Sequence, residues 1–280
     1  MVLEYLKYPL WTLWRFVADF PLAARNTRIA LTAFWRTVYI GSRAIAVLRK
    51  HAGRWSERTR GRYIWRVAQK FWARWIVARM GVRVTVEGRN AVDWSHPHIV
   101  VANHQSTLDV LLLVSHVASG RFVAKQEVLR YPVVGAAVRH GGQIVIDRAD
   151  HAQAMAAIRR GFRVWPDSNL IFFAEGTRTR TGKLQPFKKG AFSVARETAL
   201  PILPVAISGT YDALPKGSLL RLRRRPAVRI AFGAEIPPDQ DVLALTARTR
   251  EAIGRMITEA APPPVEARAP TLTWAPGRSH

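Results

Sequence analysis

His98-Ile99-Val100-Val101-Ala102-Asn103-His104-Gln105-Ser106-Thr107-Leu108-Asp109-Val110-Leu111-Leu112-Leu113-Val114 is the stretch that decides the fold. An unbroken apolar run, a polar turn and a second apolar run read as buried strand, turn and helix. A histidine and a carboxylate then stand at the carboxyl end of a strand, where open α/β sheets carry their chemistry. An imidazole near neutral pH can take a proton from a hydroxyl, and a carboxylate on its other nitrogen can orient it. On one continuous helix five residues rotate a side chain by roughly 140°. His104 and Asp109 therefore meet only if His104 lies in the turn and Asp109 in the first helical turn. Ser106-Thr107-Leu108-Asp109 also fits a capping box, with Ser106 as N-cap and Asp109 at N3. Both readings fit together, and they make Ser106 a cap rather than a nucleophile.

Outward from this stretch, Val82 to Gly88 alternates with period two, as a half-buried strand does. Further strands are predicted at 98–102, 121–124, 143–147, 169–174, 202–207 and 228–232. Helical patterns fall at 107–118, 150–164, 188–199 and 239–259. This alternation predicts an α/β fold: a mixed, largely parallel sheet flanked by helices, occupying residues 81–260. Residues 261–280, with Pro262-Pro263-Pro264, Pro270 and Pro276, read as a flexible tail.

The first 80 residues have another texture. They hold sixteen Lys/Arg against Glu4, Asp19 and Glu57, and seven of the ten Trp. Basic residues interleaved with Trp, Leu and Ile describe a segment lying at a membrane interface. Arg15, Asp19, Arg36 and Arg43 interrupt the apolar runs, so no clean spanning helix is predicted. Pro9 and Pro21 are expected to break the first segment, with a second helix at 26–50 and a third from Arg62 to Met80. The third could lie on a membrane or pack on the next domain. Peripheral or monotopic attachment to an anionic membrane, on its cytoplasmic face, is the expectation.

With 280 residues, 49% of them hydrophobic, the chain can bury a full core. A formal charge of +24 favours an anionic partner: nucleic acid, anionic lipid or a phosphorylated substrate. The absence of Cys excludes disulfides, a thiolate metal site and a cysteine nucleophile.

Three further stretches carry chemistry. Gly141-Gly142-Gln143-Ile144-Val145-Ile146-Asp147-Arg148 is a strand ending in an acid and an arginine. Leu170 to Arg178 is another, ending in Ala174-Glu175-Gly176-Thr177-Arg178. Arg forks, a Thr hydroxyl and glycine amides can build an anion site, although each stretch alone equally reads as a surface ion pair and a tight turn. Leu200-Pro201-Ile202-Leu203-Pro204-Val205-Ala206 is a strand preceded and interrupted by prolines.

In this order, NHQSTLD at 103–109, GGQIVIDR at 141–148, FAEGTRTRTG at 173–182 and LPILPVAI at 200–207 resemble the four blocks of the glycerolipid acyltransferase family, the 1-acyl-sn-glycerol-3-phosphate acyltransferases above all. Phe122-Val123-Ala124-Lys125 with Pro132 and Gly135, and Phe187 to Phe192, are similar as well. Coverage runs from about Gly81 to Gly209. The family usually has proline where this chain has Ala174, a change expected to loosen the turn.

The resemblance implies that His104, oriented by Asp109, deprotonates a lysophospholipid hydroxyl that attacks an acyl thioester. Arg148, Glu175, Gly176, Thr177, Arg178 and Lys125 would hold the acceptor, and Pro201 and Pro204 would belong to the acyl-donor region. Acyl-CoA or acyl carrier protein would be the co-substrate, with no further cofactor, no metal and no nucleic acid. Other acceptors, such as a lyso-ornithine lipid, a thioester hydrolase and a basic binding protein remain as alternatives.

Overall fold

The computed structural model describes residues 10–51, 53–130, 132–147, 150–215, 222–223 and 225–259. The expected tail at 261–280, Pro9 and Arg148 lie outside these residues. Seven strands form one sheet: β1 (Arg83–Glu87), β2 (Ile99–Ala102), β3 (Gly120–Lys125), β4 (Ile144–Ile146), β5 (Asn169–Phe173), β6 (Ile202–Ser208) and β7 (Ala227–Phe232). Their order is β1-β7-β6-β2-β5-β3-β4. Every pairing is parallel except β6 with β7. All seven strands coincide with the predicted ones to within a few residues.

The four residues of β2 are fully buried because β2 sits between β5 and β6 and is covered on both faces. Period two divides them. Val100 and Ala102 join one apolar cluster with Trp65, Ala73, Ile76, Leu108 and Leu112. Ile99 and Val101 face the other side, with Ile158, Phe192, Leu245 and Ile253. Each such aliphatic side chain, fully buried, contributes roughly 1.5–3 kcal/mol.

Helices α4 (Leu108–His116), α6 (His151–Val164), α7 (Gly190–Thr198) and α9 (Val242–Glu259) fall on the predicted segments. Two short helices, α5 (Pro132–His140) and α8 (Thr210–Ala213), come in addition.

The helical N-terminal region departs from expectation. α1 is one helix, Leu10–Lys50, running through Pro21 instead of breaking there. An interior proline removes one N–H and crowds the carbonyl four residues back, a cost of roughly 3 kcal/mol that the rest of the 41-residue helix outweighs. The next segment begins earlier than predicted, as α2 (Glu57–Val67), a π-helical stretch (Ala68–Ala73) and α3 (Arg74–Arg79). Trp65, Ala73, Ile76 and Val77 enter the sheet's apolar cluster, so this region packs on the α/β core. α1 lies against it: Trp72 Nε1 donates to Thr37 Oγ1 at 2.9 Å, and Arg36 stands 5.0 Å over the Trp75 ring.

Arg121 of β3 is fully buried, with its guanidinium 4.0 Å from the Trp165 ring centre. Its Nη1 donates to Gly120 O, while Nε and Nη2 have no hydrogen-bond partner among the described residues. Burial pushes its pKa down to about 10, and the aromatic face is the environment that receives the charge.

Candidate active site

The parallel strands end on a common edge, and the turns after them meet there. His104 follows β2, Glu175 to Arg178 follow β5, Lys125 closes β3, and Thr210 follows β6. His104 lies in an extended turn, and Asp109 is the second residue of α4. His104 Nδ1 and Asp109 Oδ2 are 2.8 Å apart, and Asp109 is fully buried. The same Oδ2 accepts from Gln105 N at 2.6 Å and Ser106 N at 2.7 Å. Its partner Oδ1 accepts from Thr210 Oγ1 at 2.6 Å. An oxygen already filled by two backbone N–H groups faces Nδ1 as an acceptor, so Nδ1 carries the ring proton. That leaves the Nε2 lone pair as the proton acceptor. The imidazole stacks on Phe173, with ring centres 3.7 Å apart and planes 13° from parallel. Carboxylate and aromatic ring together fix both its tilt and its rotation.

The turn is held from beneath. Asn103 exchanges two 2.8 Å hydrogen bonds with the backbone of Ile207 and so extends the β2–β6 pairing past Ala102. Thr179 N donates to His104 O at 2.9 Å. Ser106 keeps part of the capping role that the sequence predicts, since its Oγ accepts from Leu108 N at 3.3 Å in the first turn of α4. Its hydroxyl donates to Leu214 O at 2.7 Å, and Thr107 takes the cap position without a side-chain bond. Half of the capping box survives, since Asp109 reaches back to Ser106 N. The other half is shifted by one residue: Ser106 Oγ accepts from Leu108 N, while Asp109 N goes to Ser106 O.

Glu175 was expected to accept from substrate, and the protein itself already supplies three donors to its carboxylate. Oε1 accepts from His104 N at 2.7 Å, and Oε2 accepts from Gln185 N at 3.1 Å and Gln185 Nε2 at 2.9 Å. Burial pushes its pKa up, and these hydrogen bonds pull the other way. Glu175 thus positions the backbone of His104. Gly176 turns the chain at φ 74°, a conformation open to glycine. Ala174 does not loosen this turn: its N–H donates to Ala102 O at 3.1 Å, a bond that a proline could not make.

His104 borders a cleft of about 1240 Å³. Its apolar wall comes from Val110, Val114, Phe122, Phe173, Trp65, Ala68, Ile40 and Ala44. Lys125, Arg130, Gly176, Thr177 and Arg178 line it as well, and Arg178 Nη1 donates to Thr107 Oγ1 at 2.9 Å. The structure therefore gathers His104, Lys125, Gly176, Thr177 and Arg178 around one space. Pro201 and Pro204 are not on it. Pro201 O accepts from Ile99 N, and Pro204 is a buried residue of β6 opposite Val101, so both build the sheet. Thr210, Asn103, Phe173 and Arg130 are site residues that sequence reading misses. Asn103 and Phe173 stand inside the quoted blocks at 103–109 and 173–182 without a role read from them, whereas Thr210 and Arg130 belong to no spaced pattern and reach the site only through the fold.

The geometry can be set beside known proteins. Residues 83–208 match the Acyltransferase family. A chloroplastic 1-acyl-sn-glycerol-3-phosphate acyltransferase of Brassica napus is 37% identical over 123 residues, 44% of this chain and 36% of that protein. The 1-acyl-sn-glycerol-3-phosphate acyltransferase alpha of Bos taurus is 35% identical over 180 residues, 62% of each chain. The chain spans about half the length of the curated relatives it matches. The crystal structure of the 1-acyl-sn-glycerophosphate (LPA) acyltransferase PlsC from Thermotoga maritima superposes with a TM-score of 0.70 and 29% identity, covering 88% of this chain and 97% of that one. Fold, ordered blocks and matched residues agree in likening residues 83–208 to the acyltransferase family.

Proposed function

We propose that this chain moves a fatty acyl group from an acyl thioester to the free hydroxyl of 1-acyl-glycerol-3-phosphate, giving phosphatidic acid. The observation that carries this reading is the oriented His104–Asp109 pair on an apolar cleft bordered by Lys125, Arg130 and Arg178. His104 Nε2 takes the hydroxyl proton as the oxygen attacks the thioester carbonyl. The tetrahedral intermediate then expels the thiolate, the C–S bond breaks, and the proton leaves His104 for sulfur or solvent. General-base help of this kind is worth about 10²–10⁴ in rate. A thiolate leaves readily, so the scheme needs no acyl-enzyme, and a thioester of CoA or of acyl carrier protein serves equally. The relatives' names point to the same acceptor.

A radiolabelled acyl-thioester assay against a panel of lysolipids tests the acceptor. Arg178→Ala is expected to raise KM for the phosphorylated acceptor about tenfold, the worth of one charge-assisted hydrogen bond, with a smaller change in kcat. Faster acylation of uncharged lysolipids by the wild type, with KM unmoved by the substitution, would remove the phosphate from the scheme.

The reaction is placed at an anionic membrane surface, on the cytoplasmic leaflet. Among the described residues no helix is long and apolar enough to cross a membrane. Yet α1 exposes Leu31, Phe34, Trp35 and Tyr39 by 54–64%. Helical spacing puts the four on one side of α1, and Arg28 and Arg43 fall at the ends of that stripe. The opposite side of the same helix, with Thr37, Ile40, Gly41 and Ala44, lines the cleft. An acyl chain leaving the bilayer would thus have an apolar path past α1 to His104. Phe34→Glu with Trp35→Glu is expected to abolish sedimentation with anionic vesicles while leaving the melting temperature near wild type. Undiminished sedimentation would move the contact elsewhere.

A further inference from the structure

On the sheet edge opposite His104, three side chains converge that acyl transfer does not use. His96 and His98 come just before β2, and Glu235 just after β7. β7 runs antiparallel to β6, so its carboxyl end is delivered to the edge where the parallel strands begin. The length of β2 separates this place from His104 by roughly 15–20 Å. His98 Nε2 is 2.8 Å from Glu235 Oε1, and His96 Nε2 is 3.3 Å from Glu235 Oε2. One ligand atom from each of the three lies within 4.8 Å of the others. A tetrahedral ion with bonds of about 2.0–2.1 Å separates its ligands by about 3.3 Å, so the 2.8 Å His98–Glu235 pair would open slightly while the widest pair, within 4.8 Å, would close.

The far side of each ring is arranged as metal-bound histidines require. Asn169 Nδ2 donates to Ala118 O, which turns Asn169 Oδ1 toward His98. That oxygen accepts from His98 N at 2.9 Å and faces His98 Nδ1 at 3.0 Å, so Nδ1 carries the ring proton. At 2.8 Å from the carboxylate, Nε2 also holds a proton and donates it to Glu235, and an ion that displaces this proton meets the Nε2 lone pair. His96 repeats the order, with Nδ1 3.5 Å from Asp93 Oδ2 and Nε2 toward Glu235. An acceptor on one nitrogen and the ion on the other is the usual outer arrangement of a ligating histidine.

The backbone that carries the trio is rigid. Leu170 N donates to His98 O, and Ile236 pairs with Ile202 through two backbone bonds. The His98 side chain is buried, while those of His96 and Glu235 are 40% and 33% exposed, which gives an ion access from solvent.

We propose that His96, His98 and Glu235 form a binding site for a divalent transition-metal ion of the Zn²⁺ class. Two imidazoles and one carboxylate suit such an ion better than Mg²⁺ or Ca²⁺, and three protein ligands leave one position for water. Its place between the segment leading into β2 and the segment leaving β7 makes it a clamp on the sheet, separate from the transfer chemistry.

The full-length protein, stripped with a chelator and titrated with Co²⁺ and then with Zn²⁺, tests this. The wild type is expected to take up one equivalent at this site, with visible Co²⁺ absorption that Zn²⁺ displaces. Glu235→Gln and His96→Ala, both at partly exposed positions, are expected to weaken uptake at least about tenfold. Zn²⁺ is expected to raise the melting temperature of the wild type by several degrees and that of neither variant. Absence of uptake by the wild type, or uptake unchanged in both variants, overturns the assignment. Neither outcome depends on the acyl-transfer reading.

Discussion

His104→Ala is expected to lower kcat for acyl transfer by about two to four orders of magnitude while the protein melts near the wild-type temperature. The two halves of this expectation rest on different atoms. The rate depends on Nε2 as the proton acceptor of the proposed reaction. The fold of the turn depends on the His104 backbone, whose N–H goes to Glu175 Oε1 and whose carbonyl receives Thr179 N. Both backbone bonds survive removal of the imidazole. Asp109 also keeps Gln105 N, Ser106 N and Thr210 Oγ1 as donors. Steady-state kinetics beside a circular-dichroism melt reads both. A folded variant turning over at the wild-type rate would sink the base assignment.

Asp109 separates orientation from stability through two substitutions. Asp109→Asn keeps an oxygen where Oδ2 stands, because Gln105 N and Ser106 N are both donors and would oppose a flipped amide. The new NH₂ then faces Thr210, whose hydroxyl rotates to accept. Fold and tautomer are retained at a cost of about 1 kcal/mol, but the imidazolium formed during proton transfer loses its neighbouring charge. A loss of roughly 10²–10⁴ in kcat is expected, within the range seen when triad carboxylates are neutralised. Asp109→Ala removes the acceptor of four donors in a fully buried place and is expected to lower stability by about 3–5 kcal/mol. Denaturant melts and kcat for the two variants would diverge accordingly. Equal loss of stability in both would show that charge, and not hydrogen-bond geometry, holds the turn.

The sheet was legible in the sequence because its residues signal burial locally. Ile99 to Ala102 and Ile202 to Ile207 are unbroken apolar runs, and Val82 to Glu87 alternates. The meeting of His104 and Asp109 also followed from local geometry, since five residues cannot close on a helix but can across a turn. What local patterns could not carry was the partner of each group. Ser106 was assigned to its own helix, and its Oγ does accept from Leu108 N there, yet its proton goes to Leu214 O, more than a hundred residues on. Glu175 sits among glycine, threonine and arginine as an anion site would, yet Gln185 and the His104 backbone take its oxygens. Thr210 carries no motif, and only the β2–β6 pairing brings it to Asp109. Pro21 failed as a breaker because its local cost, roughly 3 kcal/mol for the lost N–H and the crowded carbonyl, falls on one position of a 41-residue helix.

The pairing of β1 with β7 has a consequence for synthesis. Arg83 to Glu87 have their strand partner in Ala227 to Ala231, about 140 residues later. At ribosomal rates of about 5–20 residues per second, β1 waits roughly 7–29 s for its neighbour, and β6 waits for the same strand to cover its open side. The sheet therefore closes only once residues 227–232 have been made. Any fragment ending before Phe232 leaves two strand edges open at once and is expected to aggregate even with every residue around His104 in place.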